Sequence, residues 1–210
     1  MEQIRQFVSA ILAGFMIGMG GTVFLSLDNK VLGACMFGVG LFTVVVFRLQ
    51  LFTGKIGYIP FQKKEYILEL VITWIGNFCG TFFIAKCVQN TRIFTEEMSN
   101  KVFAMAQTKL NDNLFSIFIL SIFCGILMFI AVDTFREQQG STIKAIAVFV
   151  PVMVFILSGF EHVVANMYYF AIARIWSVNT IISLIVMTTG NSIGGLLIPL
   201  YQKMFHLREK

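Results

Sequence analysis

Long apolar runs alternate with short polar connections along the whole chain. A helix needs ~20 apolar residues to cross the hydrocarbon of a bilayer, and six stretches approach or exceed that length. They cover residues 7–27, 31–47, 66–85, 114–132, 145–173 and 175–201. The turn Asp28-Asn29-Lys30 joins the first two, and Glu69 sits near the start of the third. The connection 86–112 is polar. Within it, Thr95 followed by Glu96 and Glu97 predicts a helix N-terminus, hence a short surface helix. The pattern predicts an all-α membrane protein with a single transmembrane domain over residues 1–210.

Two of the six runs are interrupted. Leu51-Phe52-Thr53-Gly54 breaks off the second, and Ser158-Gly159-Phe160 divides the fifth. Non-helical backbone at membrane depth is tolerated only when it is buried in protein or faces a wet cavity. A short motif also recurs: Gly76-Asn77-Phe78-Cys79-Gly80 in the third run matches Gly190-Asn191-Ser192-Ile193-Gly194 in the sixth as Gly-Asn-x-x-Gly. Three spans are an odd number, so halves of roughly 1–90 and 113–205 would have opposite topology. Inverted repeats with paired broken helices are a signature of transporters and channels, with the path at the breaks.

Composition agrees with a membrane protein. The chain is 57% hydrophobic and 13% charged, against about 25% charged in soluble domains. Its mean hydropathy is +0.81. Residues 7–27 are too long and uninterrupted for a signal-peptide core, so a retained span is expected. The net charge of +5 does not indicate nucleic acid, because the cations are scattered between apolar runs. They report orientation instead. With the N-terminus inside, nine cations fall in the cytoplasm, Arg208 and Lys210 among them, and six fall outside, leaving Arg48 in the membrane. This bias predicts a multi-pass protein of the plasma membrane with both termini cytoplasmic. Cys35, Cys79, Cys87 and Cys124 form no CxxC pair and read as small apolar filler, so no metal or other cofactor is expected.

Glu161 and His162 lie near the middle of the fifth run. A charge at that depth costs roughly 2.5–3.5 kcal/mol on insertion scales and usually marks a polar path. The ordinary explanation of His162 is a histidine hydrogen-bonded within a bundle. In a membrane, beside Glu161, the functional explanation is favoured. An imidazole with an unperturbed pKa near ~6.5 exchanges protons around neutrality. Asn166 is four residues beyond it and Phe155 seven before it, so a continuous helix would set all three on one face. Glu161 reads as structural, accepting bonds from neighbouring backbone or from a cation, and Arg48 at the other break is a candidate partner; a side chain snorkelling to the interface explains Arg48 equally well. Lys109 fits an interfacial anchor or a vestibule cation that gathers anions. The asparagines of the repeated motif either brace the broken segments or line the path.

The stretch Ser158-Gly159-Phe160-Glu161-His162-Val163-Val164-Ala165-Asn166-Met167 resembles the fifth-span signature of the formate/nitrite transporter family, Ser-Gly-Phe-Glu-His-x-x-Ala-Asn-Met. Leu51-Phe52-Thr53 is similar to that family's second-span loop, and Gly190-Asn191-x-x-Gly194-Gly195 to its sixth span. The resemblance implies an aquaporin-like fold of six helices, a homopentamer with one pore per subunit, and passage of small monovalent anions such as formate, nitrite or hydrosulfide together with protons. It implies His162 as the central histidine and Thr53 as the loop threonine. Asn166 and Asn191 match pore asparagines, and Lys109 the vestibule lysine. Phe37 and Phe155 match constriction phenylalanines, with Leu41 and Leu51 as further pore-lining positions. The chain departs from the pattern at Gln50, where an acidic residue is common, and at Arg48, Gly54-Lys55, Gly125 and Met128.

The reading is a channel that passes a small anion with a proton as the neutral acid. Lys109 would draw the anion in. Desolvation would raise the pKa of the anion until it takes a proton, removing most of the penalty of carrying a bare ion through hydrocarbon. A neutral-solute or water pore is the rival, though the paired Asn-Pro-Ala signature of aquaporins is missing. A membrane assembly protein is the other. Without HExxH, GxSxG or a second intramembrane histidine, an enzyme is not expected.

Overall fold

The computed structural model describes residues 1–207, so Arg208 and Lys210 of the cation tally lie outside the described residues. The described chain is helical, with no strand. α1 (Glu2–Ser26), α2 (Lys30–Val46) and a short α3 (Phe52–Lys55) are followed by a 3-10 helix (Ile56–Phe61). α4 (Tyr66–Gln89), α5 (Glu96–Leu110) and α6 (Leu114–Glu137) come next, then α7 (Ser141–Leu157), α8 (Val163–Ile172) and α9 (Val178–Met204). Among the described residues, α1, α4, α6 and α9 are long and apolar enough to cross a membrane singly.

Local chemistry sets the helix starts. The Asn29 side chain accepts from the Val31 and Leu32 N–H groups at 3.0 Å. Thr95 caps α5 through the Met98 N–H, and Asn113 caps α6 through that of Ser116. α2 and α7 end alike. The N–H of Leu49 reaches back to the Val44 carbonyl, and that of Phe160 to the Phe155 carbonyl, the 6→1 bond of a Schellman motif. Such a motif needs a left-handed residue between. Gly159 supplies it with φ 73°, and Arg48 supplies it with φ 53°. The chain then runs extended into α3 and α8.

α1 packs along α4, and α6 along α9. Each pair is held at close range by glycine. A Cβ on Gly80 would collide with the Ile11 carbonyl, and one on Gly194 with the Ile122 carbonyl. Gly125 sits against the backbone carbonyl of Asn191 with no room for a side chain, which accounts for glycine at that departure from the family pattern.

The two non-helical stretches are braced by equal sets of bonds. Asn77 Oδ1 accepts from the Phe52 N–H at 2.9 Å, and its Nδ2 donates to the Ala10 and Gln50 carbonyls at 2.8 Å. Asn191 Oδ1 accepts from the Val163 N–H at 2.9 Å, and its Nδ2 donates to the Ser121 and Glu161 carbonyls at 2.8 Å. Both side chains are fully buried. Backbone groups that helices leave unpaired are thereby satisfied without water, the condition for irregular backbone inside hydrocarbon.

The single helical face expected to carry Phe155, His162 and Asn166 does not exist. α7 stops at Leu157, and His162 is the extended N-cap residue of α8. The glycine-terminated end of α7 breaks the periodicity between Phe155 and His162. The Phe155 ring still reaches the imidazole, but from a separate helix, stacked at 5.6 Å between centroids and 26° between planes.

Candidate functional site

His162 faces Thr53 from the opposite non-helical stretch, with Nε2 2.8 Å from the Thr53 Oγ1. Its Nδ1 accepts the Ala165 N–H at 3.1 Å. A backbone N–H can only donate, so Nδ1 carries no proton and the neutral ring holds its hydrogen on Nε2. The imidazole therefore donates to the Thr53 hydroxyl. Both residues are buried, His162 at 2% exposure and Thr53 at 1%.

Apolar side chains complete this layer. Phe37 and Phe155 meet edge to face at 5.8 Å and 87°. Leu41 and Leu51 are buried with them. Two cavities approach the layer from opposite ends of α2 and α7. One, of about 390 Å³, is lined by Lys30, Lys109, Phe155, Glu161, His162 and Asn166 among others. The other, of about 380 Å³, is lined by Val44, Arg48, Gln50, Leu51, Gly54 and Lys55 among others. The first holds residues from the start of α2 and the end of α7, the second from the end of α2 and the start of α7.

In the first cavity, Lys109 Nζ donates to Glu161 Oε2 at 2.6 Å. Asn166 Nδ2 donates to the same oxygen at 2.7 Å. That bond fixes the amide, because only its nitrogen can face a carboxylate. The Asn166 Oδ1 is buried and has no hydrogen-bond donor within reach among the described residues.

The expected Arg48–Glu161 partnership is replaced by Lys109–Glu161. The helix predicted around Thr95 runs fifteen residues, folds back against α8 and delivers Lys109 from its last turn. Arg48 is instead exposed at the other cavity. Lys109 is not a simple interfacial anchor, since 14% of its side chain is exposed and its charge is paired. Asn191 lies behind the layer, outside both cavity linings among the described residues, with its amide committed to backbone. Asn77 does the same for the other stretch. The repeated Gly-Asn-x-x-Gly motif was its signal.

Lys55 and Glu69 were not singled out as site residues. Lys55 Nζ donates to Gln50 Oε1 at 2.6 Å and to Glu69 Oε2 at 3.1 Å. The departure at Gln50, adjacent to Leu51, was the available clue.

Comparison with known proteins follows this geometry closely. The family model described as "Formate/nitrite transporter" matches residues 1–204. The chain is 33% identical over 181 residues to the transporter YrhG of Bacillus subtilis, covering 80% of this chain and 68% of that one. It is 32% identical over 147 residues to the formate channel BtFdhC of Bacillus thuringiensis, covering 66% of this chain and 57% of the channel's own length. A solved structure titled "Pentameric formate channel with formate bound" superposes with a TM-score of 0.85 at 27% identity, over 99% of this chain and 98% of the other. The chain is a membrane protein that belongs to the formate/nitrite transporter family, a family of channels and transporters rather than enzymes.

Proposed function

We propose that this chain is a channel for a small monovalent anion such as formate, nitrite or hydrosulfide, which crosses with a proton as the neutral acid. The observation that carries the reading is the pair of cavities meeting a thin apolar layer in which the only polar side chains we assign are the hydrogen-bonded Thr53 and His162. The fold reading is six spans in two inverted repeats, with α2–α3 and α7–α8 as the broken second and fifth spans of an aquaporin-like unit. Equal bracing by Asn77 and Asn191 supports it. The pentameric formate channel among its structural relatives supports a homopentamer and formate as a substrate. The orientation in the plasma membrane is the cation-bias one, with both termini cytoplasmic.

An anion enters beside Lys109 and Glu161, a cation and a carboxylate that cancel at long range but leave Lys109 donors at close range. Burying a bare anion between Phe37, Phe155, Leu41 and Leu51 costs tens of kcal/mol on an idealised scale, so an unprotonated ion stops there. As it loses water the anion binds a proton more tightly and takes one from the cavity. The hydroxyl of formic or nitrous acid, or an S–H of hydrogen sulfide, then has an acceptor in the unengaged Asn166 Oδ1. The C=O or N=O oxygen, or the sulfur, accepts the His162 Nε2–H in place of Thr53, and the neutral molecule slips past.

The test is proteoliposome flux of formate, nitrite and hydrosulfide at several pH values. His162→Phe keeps an aromatic ring against Phe155 but removes the Nε2 donor. Flux is expected to fall at least tenfold in this variant and to track the concentration of neutral acid in the wild type. Undiminished flux in His162→Phe overturns the role of the histidine.

A further inference from the structure

The two cavities carry different charge although the backbone around them is built alike. The one at the Lys109 end is lined by Lys30, Lys109, Asp112 and Glu161, two cations against two carboxylates. The one at the other end is lined by Arg48, Lys55, Arg136 and Lys144, and no carboxylate among the described residues lines it. Equivalent positions explain part of the contrast. Asn191 holds the carbonyl of Glu161, whereas Asn77 holds that of Gln50. Gly159 fills one left-handed turn, and Arg48 fills the other.

Arg48 takes a left-handed helix-end conformation, as Arg174 and His206 do at two other helix ends, so what distinguishes it is that its side chain lines the cavity. Two of the cations are posed by aromatic rings without a carboxylate partner among the described residues, Arg136 over Tyr58 at 4.6 Å and Lys144 over Phe135 at 5.3 Å; Lys55 lies over the Tyr66 ring at 5.0 Å but is paired with Glu69. Aromatic faces orient cations and leave their charge available to a third partner. The neighbouring carboxylates stand outside this lining, with Glu2, Glu65 and Glu69 along an adjoining cavity that shares Arg48 and Lys55. Glu69 bonds Lys55, and Asp133 accepts from the Tyr58 hydroxyl.

We propose that this cavity binds a multiply charged anion, a di- or tricarboxylate or a phosphate ester, which seats against Leu51 and closes the path from that side. Four cations, only Lys55 of them paired with a carboxylate among the described residues, exceed in charge what a formate-sized monoanion needs. Such a solute fits a cavity of ordinary ligand-binding size. It remains charged after taking one proton, so it cannot cross the layer that a monovalent acid crosses. The cavity ends on Leu51 and Gly54, in the interior wall beside Thr53, so its ligand arrives from solution. The blocking half of the proposal rests on the channel reading above; the binding half stands without it.

The test begins with calorimetric titration of citrate into the full-length detergent-solubilised protein at low ionic strength. One saturable site per chain is expected. Arg48→Gly and Lys144→Gln should each weaken it about tenfold, as loss of one nearby unscreened charge implies. Lys30→Gln, an exposed cation lining the other cavity, should leave it unchanged. Arg48→Gly suits the left-handed turn, so its thermal melt should match or exceed wild type and exclude misfolding as the cause. No citrate binding by the wild type, or equal binding by Arg48→Gly and Lys144→Gln, overturns the site. In vesicles with protein inserted in one orientation, citrate should reduce formate flux only from the Arg48 face. Equal block from both faces, or none, overturns the blocking half. Absence of formate flux in every condition defeats the channel reading instead and leaves the calorimetric result standing.

Discussion

Replacing Lys109 by glutamine strands the Glu161 carboxylate. The Nζ to Oε2 separation is 2.6 Å, and the side chains are 14% and 5% exposed. At an effective dielectric of ~20, charges this close attract by about 6 kcal/mol, and desolvation takes back most of that gain. The pair as a whole therefore adds little to stability, but either half alone is expensive. Lys109→Gln should destabilise the protein by about 3–5 kcal/mol, the usual effect of removing one partner from a buried pair. The bond from Asn166 remains but carries no charge to answer the carboxylate. Glu161→Gln should cost less, about 1–2 kcal/mol, because the more exposed Lys109 can turn toward water. The double variant should resemble Glu161→Gln, so the coupling energy equals the cost of Lys109→Gln alone, about 3–5 kcal/mol, between sites 52 positions apart in sequence. The assay is reversible unfolding in mixed detergent micelles followed by circular dichroism. Additivity of the two substitutions to within ~0.5 kcal/mol would refute the ion pair as the reason for both residues.

Asn77→Ala and Asn191→Ala each release three backbone partners, all buried for Asn191 and the Gln50 carbonyl only partly so for Asn77, so each should cost about 3 kcal/mol and Asn191→Ala the more; thermal melts of the two variants check this. Gly80→Ala and Gly194→Ala should lower the melting temperature and the folded yield, since the added methyl meets a helix backbone, whereas Gly140→Ala, whose nearest neighbour would be 3.6 Å away, should be neutral in the same measurement. Tyr168→Phe should cost about 1 kcal/mol by chemical unfolding, because the Thr22 hydroxyl it bonds at 2.5 Å keeps its own bond to the Gly18 carbonyl.

Much of this fold is readable in one dimension because hydrophobic length and turn chemistry are local properties. The apolar runs, the turn at Asp28-Asn29-Lys30 and the Thr95 cap need only neighbours within a few residues to be recognised. The recurrence of Gly-Asn-x-x-Gly was visible too. Its meaning was not, because an asparagine that binds the carbonyl of Gln50 reaches 27 positions back along the chain. The partner of Glu161 is not legible for the same reason. Of the two explanations of Arg48, partner of Glu161 or side chain turned to the interface, the structure leaves the partnership to Lys109 and places Arg48 exposed at the other cavity. The true partner comes from α5, a helix outside the repeat, whose return against α8 is decided by packing of Met98, Val102 and Ala106 into the core.

Comparing the matched stretches residue by residue separates support from chemistry. Where the two halves make the same hydrogen bond, they carry the same side chain, asparagine, and it is fully buried. Where they carry different side chains at equivalent places, the differences face a cavity or the layer between cavities. Arg48 answers Gly159, Gln50 answers Glu161, and Leu51 answers His162. On the repeat reading, two halves of equal backbone give an equal environment at both cavities unless side chains break the balance. Here the cavity at the Lys109 end carries equal numbers of cations and carboxylates, the other is lined by cations without a carboxylate among the described residues, and His162 lines the balanced one. On the channel reading, the ring that meets the solute and the cations that hold a competing anion then occupy opposite sides of Leu51. Exchanging Gln50 for glutamate would place a carboxylate 2.6 Å from Lys55, where the amide oxygen now stands, and should move the second mouth toward the balance of the first. Citrate affinity is the readout, and an undiminished affinity in Gln50→Glu would show that the charge of the mouth is not what selects its ligand.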